Sequence, residues 1–169
     1  MTIKIYAIGK IKDFYKSGCD EYLKRISGYS KIEVIELKDE SVSDKPSISE
    51  ITKVKDIEGK RVLSLLKNNE YLIGLDLNKK QYSSEEFASF LNQKLIDNGA
   101  SISFVIGWSF GLSDELKKRV NTSICLSYMT LPHQLARLVL LEQIFRAFKI
   151  INNENYHKWI EKKYSKNIN

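Results

Sequence analysis

Three segments of the chain place residues suited to ligand binding directly after apolar runs. Leu75 and Asp76 end the run 71–77, a loop from Gly107 to Leu112 follows a second run, and the segment 126–133 closes a third. Ligands of parallel α/β sheets bind beyond the carboxyl ends of the strands, so these segments predict a binding site. Gly107 permits close approach of a ligand to the backbone, although an ordinary tight connection also uses glycine.

Few ionisable side chains accompany these segments. The chain has two histidines, and His133 falls in the first turn of a predicted helix, where a surface role is typical, while His157 lies in a polar segment near the end. Arg137 and Glu142 stand on an otherwise apolar helix. Their charges need partners, which a subunit interface, a ligand or a surface ion pair could provide.

Several classes of protein are disfavoured by what the sequence lacks. It contains no G-x-G-x-x-G, P-loop, H-E-x-x-H or G-x-S-x-G motif. Cys19 and Cys125 are far apart and match no metal or redox spacing, which predicts reduced thiols in a cytoplasmic protein and no metal site. No apolar run approaches the ~18 residues of a membrane span, and the first residues lack the features of a signal peptide. We therefore expect no membrane association.

Strand and helix patterns alternate along the chain. Strands are predicted at 3–8, 31–37, 71–77, 101–106 and 123–129, and helices at 13–26, 48–66, 84–98, 114–120 and 132–150. Ser83 and Glu86 have the spacing of a capping box, and Pro132 suits the first turn of the last helix. The alternation predicts an α/β fold, with a mainly parallel sheet and helices on both faces.

The last predicted helix is apolar on more than one side, and a helix of this kind is buried on most of its surface. The apolar positions are Leu135, Leu138, Val139, Leu140, Leu141, Ile144, Phe145, Ala147, Phe148 and Ile150. This pattern favours a homodimer over burial within one subunit. The net charge of +6 is concentrated towards the C-terminal end, which suits either a polyanionic partner or a merely soluble surface.

Specific motifs resemble a known family. The start of the chain carries Ala7-Ile8-Gly9-Lys10 and Glu21-Tyr22-Leu23-Lys24-Arg25. The most specific stretch is Met129-Thr130-Leu131-Pro132-His133-Gln134 with Arg137, followed by Glu142-Gln143-Ile144-Phe145-Arg146-Ala147-Phe148-Lys149-Ile150 and by Tyr156-His157-Lys158. On these residues the chain resembles the RlmH family of SPOUT-class ribosomal RNA methyltransferases.

The resemblance implies a C-terminal trefoil knot, which sequence patterns alone would not suggest, and an obligate homodimer. It implies one domain over 1–158, followed by a basic extension over 159–169. It also implies that S-adenosylmethionine binds in the knot. By matching position, the residues lining that pocket would be Leu75, Gly107, Leu126, Ser127, Tyr128, Met129, Thr130 and Leu131.

The substrate implied by the resemblance is a pseudouridine of 23S ribosomal RNA, methylated at N3 on the assembled ribosome in the cytoplasm. The catalytic residues implied are Tyr156, His157, Lys158 and Arg137. Tyr156, His157 and Lys158 would lie near the partner subunit's cofactor. We expect His157 and Lys158 to position the target base or to favour its anion.

The chain departs from the family pattern in the residues that follow Gly107, where Ser109-Phe110 replaces a polar pair, and in the tail beyond Lys158. Trp108 follows Gly107 where members usually have a second glycine. The indole could stack on adenine or on an RNA base, or it could fill the pocket. Two alternatives therefore stay open: a non-catalytic protein that binds RNA or the ribosome, and a methyltransferase with a changed RNA target.

Overall fold

Strands and helices alternate through the whole ordered chain. The computed structural model describes residues 1–107 and 110–156. The elements are β1 (Thr2–Ile8), α1 (Asp13–Ile26), β2 (Lys31–Leu37), α2 (Ile48–Leu65), β3 (Leu72–Leu75), α3 (Ser84–Asp97), β4 (Ser101–Ile106), α4 (Asp114–Arg119), β5 (Thr122–Ile124) and α5 (His133–Ile151). This confirms the predicted α/β class.

The five strands form one sheet in the order β2-β1-β4-β3-β5, and each neighbouring pair is parallel. The central strand β4 is buried from Ile102 to Ile106, because helices cover both of its faces. This double coverage explains why the strands read as nearly continuous apolar runs rather than as alternating patterns.

Helices lie on both faces of the sheet, as predicted. One core joins α1, α3 and α5 to the sheet and includes Leu91, Phe104 and Leu140. The other joins α2 and α4 to the opposite face and includes Val62 and Leu116. None of the helices within the described ranges is long and apolar enough to cross a membrane.

Helix caps fix the loops that follow β3 and β4. The hydroxyl of Ser83 accepts a hydrogen bond from the Glu86 backbone at 3.1 Å, and the Glu86 carboxylate accepts one from the Ser83 backbone at 2.8 Å. This is the predicted capping box. Ser113 caps α4 in the same way, by accepting from the Leu116 backbone at 3.2 Å. Each cap sets where its helix begins, and so where the preceding loop must turn.

The fifth strand is shorter than predicted, and this changes the edge of the sheet. The expected strand 123–129 ends at Ile124. Beyond it, the Cys125 thiol donates to the Ser127 carbonyl at 3.0 Å, and the Met129 backbone donates to the Ser127 hydroxyl at 3.0 Å. These local bonds replace strand pairing.

Two further boundaries also differ from the prediction. The strand β3 ends at Leu75 because the Asp76 carboxylate accepts from the Asn78 backbone at 3.0 Å and closes a turn. Pro132 is the cap of α5 rather than its first residue. The trefoil knot stays a prediction from the resemblance.

Candidate active site

A cavity of about 240 Å³ opens at the carboxyl ends of β3 and β4 and along the segment that follows β5. This is the edge at which the sequence predicted a ligand site. Its wall is formed by Leu75, Asp76, Leu77, Asn78, Ile106, Gly107, Phe110, Gly111, Leu112, Lys117, Cys125, Leu126, Ser127, Met129, Thr130, Leu131, His133 and Ala136. The cavity therefore combines apolar side chains with a few polar groups, as small-molecule sites usually do.

The loop after β4 can form this wall only because residue 107 lacks a side chain. A Cβ atom on Gly107 would stand 2.7 Å from Cδ2 of Leu112 and 3.1 Å from the backbone of Gly111. Gly111 itself has a φ of +82°, which other residues rarely adopt. The two glycines let the chain turn tightly against Leu112 and keep backbone exposed to the cavity.

The loop after β3 supplies polar groups to the opposite side of the cavity. The backbone of Asp76 donates to the Ile124 carbonyl at 2.9 Å, which ties this loop to the end of β5. The Asp76 carboxylate and Asn78 both line the cavity, and Lys117 reaches it from α4. The wall thus offers hydrogen-bond acceptors, and charges of both signs, to a ligand.

The segment after β5 forms the third side of the cavity. Of the eight residues expected to bind cofactor, all except Tyr128 line this cavity. Tyr128 is 72% exposed, and its backbone donates to the Gln81 side chain at 3.2 Å. Met129 reaches the cavity although 77% of its surface is exposed. Ligand binding by these eight residues stays a prediction.

His133, the last residue of the predicted binding segment 126–133, lies in the cavity wall, although a surface role was equally typical of its position in the sequence. It is half-buried at the start of α5. Burial and the nearby Arg137 lower the pKa of the His133 imidazole, and the Asp39 carboxylate opposes them. Asp39 and Lys12, which also act on this imidazole, lie far from His133 in the sequence. The signal in the sequence was its place at the end of the predicted binding segment 126–133.

Arg137 is buried and does not line the cavity. Its guanidinium donates to the Glu36 carboxylate and, at 2.7 Å, to the Gly9 carbonyl. Its Nε has no hydrogen-bond partner within the described part of the chain. Burial raises the pKa of Glu36, but hydrogen bonds from the Ile11 backbone and from Arg137 outweigh it and hold that pKa below its ordinary value. Arg137 thus ties α5 to the ends of β1 and β2, and its catalytic role stays a prediction.

Tyr156 lies outside the cavity wall of its own chain. It follows α5 and contacts charged side chains of that helix. Its hydroxyl donates to the Glu142 carboxylate at 3.3 Å, and Glu142 also pairs with Arg146. The Arg146 guanidinium stands 4.8 Å from the centre of the Tyr156 ring. Burial and a hydrogen bond with Tyr22 raise the pKa of Tyr156 to about 12. The phenol therefore keeps its proton at neutral pH.

Three residues singled out from the sequence, Trp108, His157 and Lys158, lie outside the described residues. The part of the chain that is described contains no cluster of three histidine, cysteine or acidic side chains able to hold a metal ion.

Comparison with known proteins gives a family for the chain. A family model described as "Predicted SPOUT methyltransferase" matches residues 1–157. The chain is 49% identical to Ribosomal RNA large subunit methyltransferase H of Streptococcus agalactiae and 45% identical to the protein of the same name from Clostridium acetobutylicum. Each alignment covers 94% of this chain and 100% of the relative.

Among solved structures, the chain is similar to TrmJ from Z. mobilis ZM4, with a TM-score of 0.42, 12% identity, and coverage of 86% of this chain and 68% of that one. The family model and the relatives span nearly the whole chain, including every segment that forms the cavity. The chain therefore belongs to the SPOUT methyltransferase family.

Proposed function

We propose that this protein transfers a methyl group from S-adenosylmethionine to a base of 23S ribosomal RNA. One observation carries the proposal. A cavity lined by glycine backbone, apolar side chains and a carboxylate occupies the strand-end edge of a chain that shares 45–49% of its residues with proteins named ribosomal RNA large subunit methyltransferase H.

The cavity residues fit S-adenosylmethionine chemically. Leu75, Ile106 and Leu126 offer apolar surface to an adenine ring, and Gly107 leaves room for backbone to approach it. The Asp76 carboxylate can accept hydrogen bonds from ribose hydroxyls or balance a positive charge. When bound, S-adenosylmethionine supplies an activated methyl group. The contribution of the protein is to hold the two reactants in line and to manage one proton.

The substrate we propose is the N3 atom of a pseudouridine of 23S RNA in the assembled ribosome. N3 is an imide nitrogen that must lose its proton before it can attack, so a nearby base or cation would accelerate the reaction. We assign Tyr156, His157 and Lys158 to positioning the target nucleobase. The hydroxyl of Tyr156 is protonated at neutral pH and can act there as a hydrogen-bond donor. Arg137 supports the site by fixing the start of α5.

We propose that the protein works as a homodimer. The outward side of α5 carries Leu135, Leu138 and Val139, which are only half-buried in the single chain. Phe14 of the neighbouring α1 is 85% exposed and contacts the ring of Tyr15 edge-on. Exposed apolar surface of this kind is typical of subunit contacts. The resemblance implies that the C-terminal segment of one subunit then lies near the cofactor of the other.

The remaining features expected from the resemblance belong to the same proposal. We take 1–158 as one domain with a C-terminal trefoil knot, and 159–169 as a basic extension that adds contacts to phosphate groups. The site of action is the cytoplasm, because the substrate is the ribosome.

Two measurements on purified protein test the proposal. Calorimetry should show binding of S-adenosylmethionine, and tritium from its labelled methyl group should appear in 23S RNA of ribosomes that lack this modification. Binding without transfer would favour the RNA-binding alternative, and label at a different nucleotide would favour a changed target. Absence of both binding and transfer in a folded protein would refute the proposal.

A further inference from the structure

His133 has surroundings unlike those of an ordinary surface histidine. It is the only histidine within residues 1–107 and 110–156, and its ring forms part of the cavity wall. Its Nε2 lies 3.3 Å from the point where a Cβ atom on Gly9 would stand. Gly9 follows β1 directly and has a φ of +86°. The imidazole therefore sits between the end of β1 and the cavity.

The carboxylate of Asp39, an exposed residue, lies close to the same point. Oδ2 of Asp39 lies 3.7 Å from the position of a Cβ atom on Gly9, so the Asp39 carboxylate and the His133 imidazole are neighbours across a residue without a side chain. Parallel pairing of β1 with β2 brings Asp39 here, because it lies two residues beyond the end of β2. The charge of a nearby carboxylate stabilises the protonated form of an imidazole, and Asp39 acts on His133 in this direction.

Burial and nearby positive charges favour the neutral form of the His133 imidazole. Burial, Arg137 on the same helix and Lys12 before α1 lower the pKa of the imidazole, while Asp39 after β2 raises it, and the net effect is a lowered pKa. A neutral imidazole can accept a proton at pH 7, and the nearby carboxylate favours the cation that results.

The other titratable side chains of the cavity wall are less suited to this task. Lys117 carries an ammonium group, which can donate but not accept. Cys125 offers a thiol and Asp76 a carboxylate, and neither kind of group is as well suited as an imidazole to proton transfer at neutral pH.

We propose that His133 accepts the proton that the target nitrogen gives up during methyl transfer, with Asp39 as its positioning residue. This inference rests on the proposed function. The proton moves from nitrogen to the imidazole, and the electron pair left on nitrogen forms the new bond to the methyl carbon. The electrons of the broken carbon–sulfur bond stay on sulfur. One positive charge thus passes from the sulfonium to the imidazolium beside Asp39.

The first test reads the coupling of the two residues without any reaction. Carbon-13 labelled imidazole signals are followed by NMR as a function of pH in the protein without ligand. The chain has two histidines, so His133→Gln identifies the signal. Asp39→Asn should lower the titration midpoint of His133, because it removes the charge that raises it. The matched control, Asp44→Asn, removes an exposed carboxylate from the same loop and should leave the midpoint unchanged. An unchanged midpoint in Asp39→Asn would overturn the pairing.

The second test is the pH dependence of single-turnover methyl transfer. The wild-type rate should level off above the titration midpoint of His133. In His133→Gln the rate should fall by about 100-fold or more at pH 7. It should then rise about tenfold per pH unit, because solvent must remove the proton. The circular dichroism spectrum should stay as in wild type, and affinity for S-adenosylmethionine, measured by calorimetry, should fall far less than the rate, because His133 is one of many residues in the cavity wall.

The outcomes separate the two proposals. A plateau that survives in His133→Gln, with an active wild type, would overturn the role of His133 alone. A folded wild type that transfers no methyl group would overturn the proposed function and this step with it, even if the NMR coupling were found.

Discussion

Replacing Gly107 with alanine tests the cavity at its tightest point. The added methyl group would stand 2.7 Å from Cδ2 of Leu112 and 3.1 Å from the backbone C and O of Gly111. Leu112 is buried in the core shared with α2 and α4, so it has little room to move. Gly111 presents backbone, which shifts less easily than the end of a side chain. The strain therefore falls on the loop 110–112, which lines the cavity.

The size of the effect follows from this crowding. Inserting one carbon into a well-packed site costs about 1–3 kcal/mol. If the loop moves aside in the free protein and must return to bind ligand, the whole cost appears as weaker binding. The affinity for S-adenosylmethionine should then fall by about 5- to 150-fold. If the loop cannot move, the same cost lowers the free energy of unfolding instead.

Calorimetry with S-adenosylhomocysteine and urea unfolding distinguish these two results. Gly28→Ala is the matched control, because the nearest atom to its new methyl group would be 3.6 Å away, at the Arg25 carbonyl, and Gly28 is remote from the cavity. It should change neither quantity. If Gly107→Ala also leaves both affinity and stability at their wild-type values, the loop does not pack as closely against residue 107 as described.

Three further predictions address the surroundings of the cavity. Glu36→Gln should lower the free energy of unfolding at pH 7 by about 1 kcal/mol. Because the folded pKa of Glu36 is depressed, the difference from wild type in urea unfolding should shrink once the pH falls below the ordinary value of 4.5, and a constant difference would contradict this. Phe14→Glu should halve the mass measured by light scattering without loss of helix. Ile48 on α2 is equally exposed, at 85%, and Ile48→Glu should leave the mass unchanged. An unchanged mass in Phe14→Glu would exclude Phe14 from the interface. In a near-ultraviolet pH titration, Tyr156→Phe should remove the tyrosine component with a pKa of about 12. Loss of a component with the ordinary pKa of 10 would instead refute burial of this phenol.

The elements of this fold were predictable from sequence where local chemistry sets them. Ser83 and Glu86 cap α3 within one turn, so the beginning of that helix is encoded by four adjacent residues. The strand β4 is apolar along its length because it is central in a parallel sheet. The segment 125–129 was wrongly predicted as part of a strand because its composition suits one. The bonds that Ser127 makes with its neighbours became visible only in the structure.

Contacts between distant residues explain what the sequence could not reveal about the site. Arg137 was expected to need a partner, but nothing in the sequence indicates that Glu36 and the Gly9 carbonyl supply it from the ends of β1 and β2. His133 looked like a surface residue because Asp39 and Gly9 lie far from it in the chain. Sheet topology creates these neighbours, and periodicity does not report it.

The most direct test is transfer of labelled methyl from S-adenosylmethionine to assembled ribosomes that lack the modification, with the labelled nucleotide mapped by mass spectrometry. Fully modified ribosomes and an active relative serve as controls. We predict one labelled pseudouridine in 23S RNA, with the methyl group at N3, and no label in the modified ribosomes. Label on another nucleotide would contradict the proposed target. Absence of label from a folded protein, with the control enzyme active, would contradict methyl transfer at this cavity.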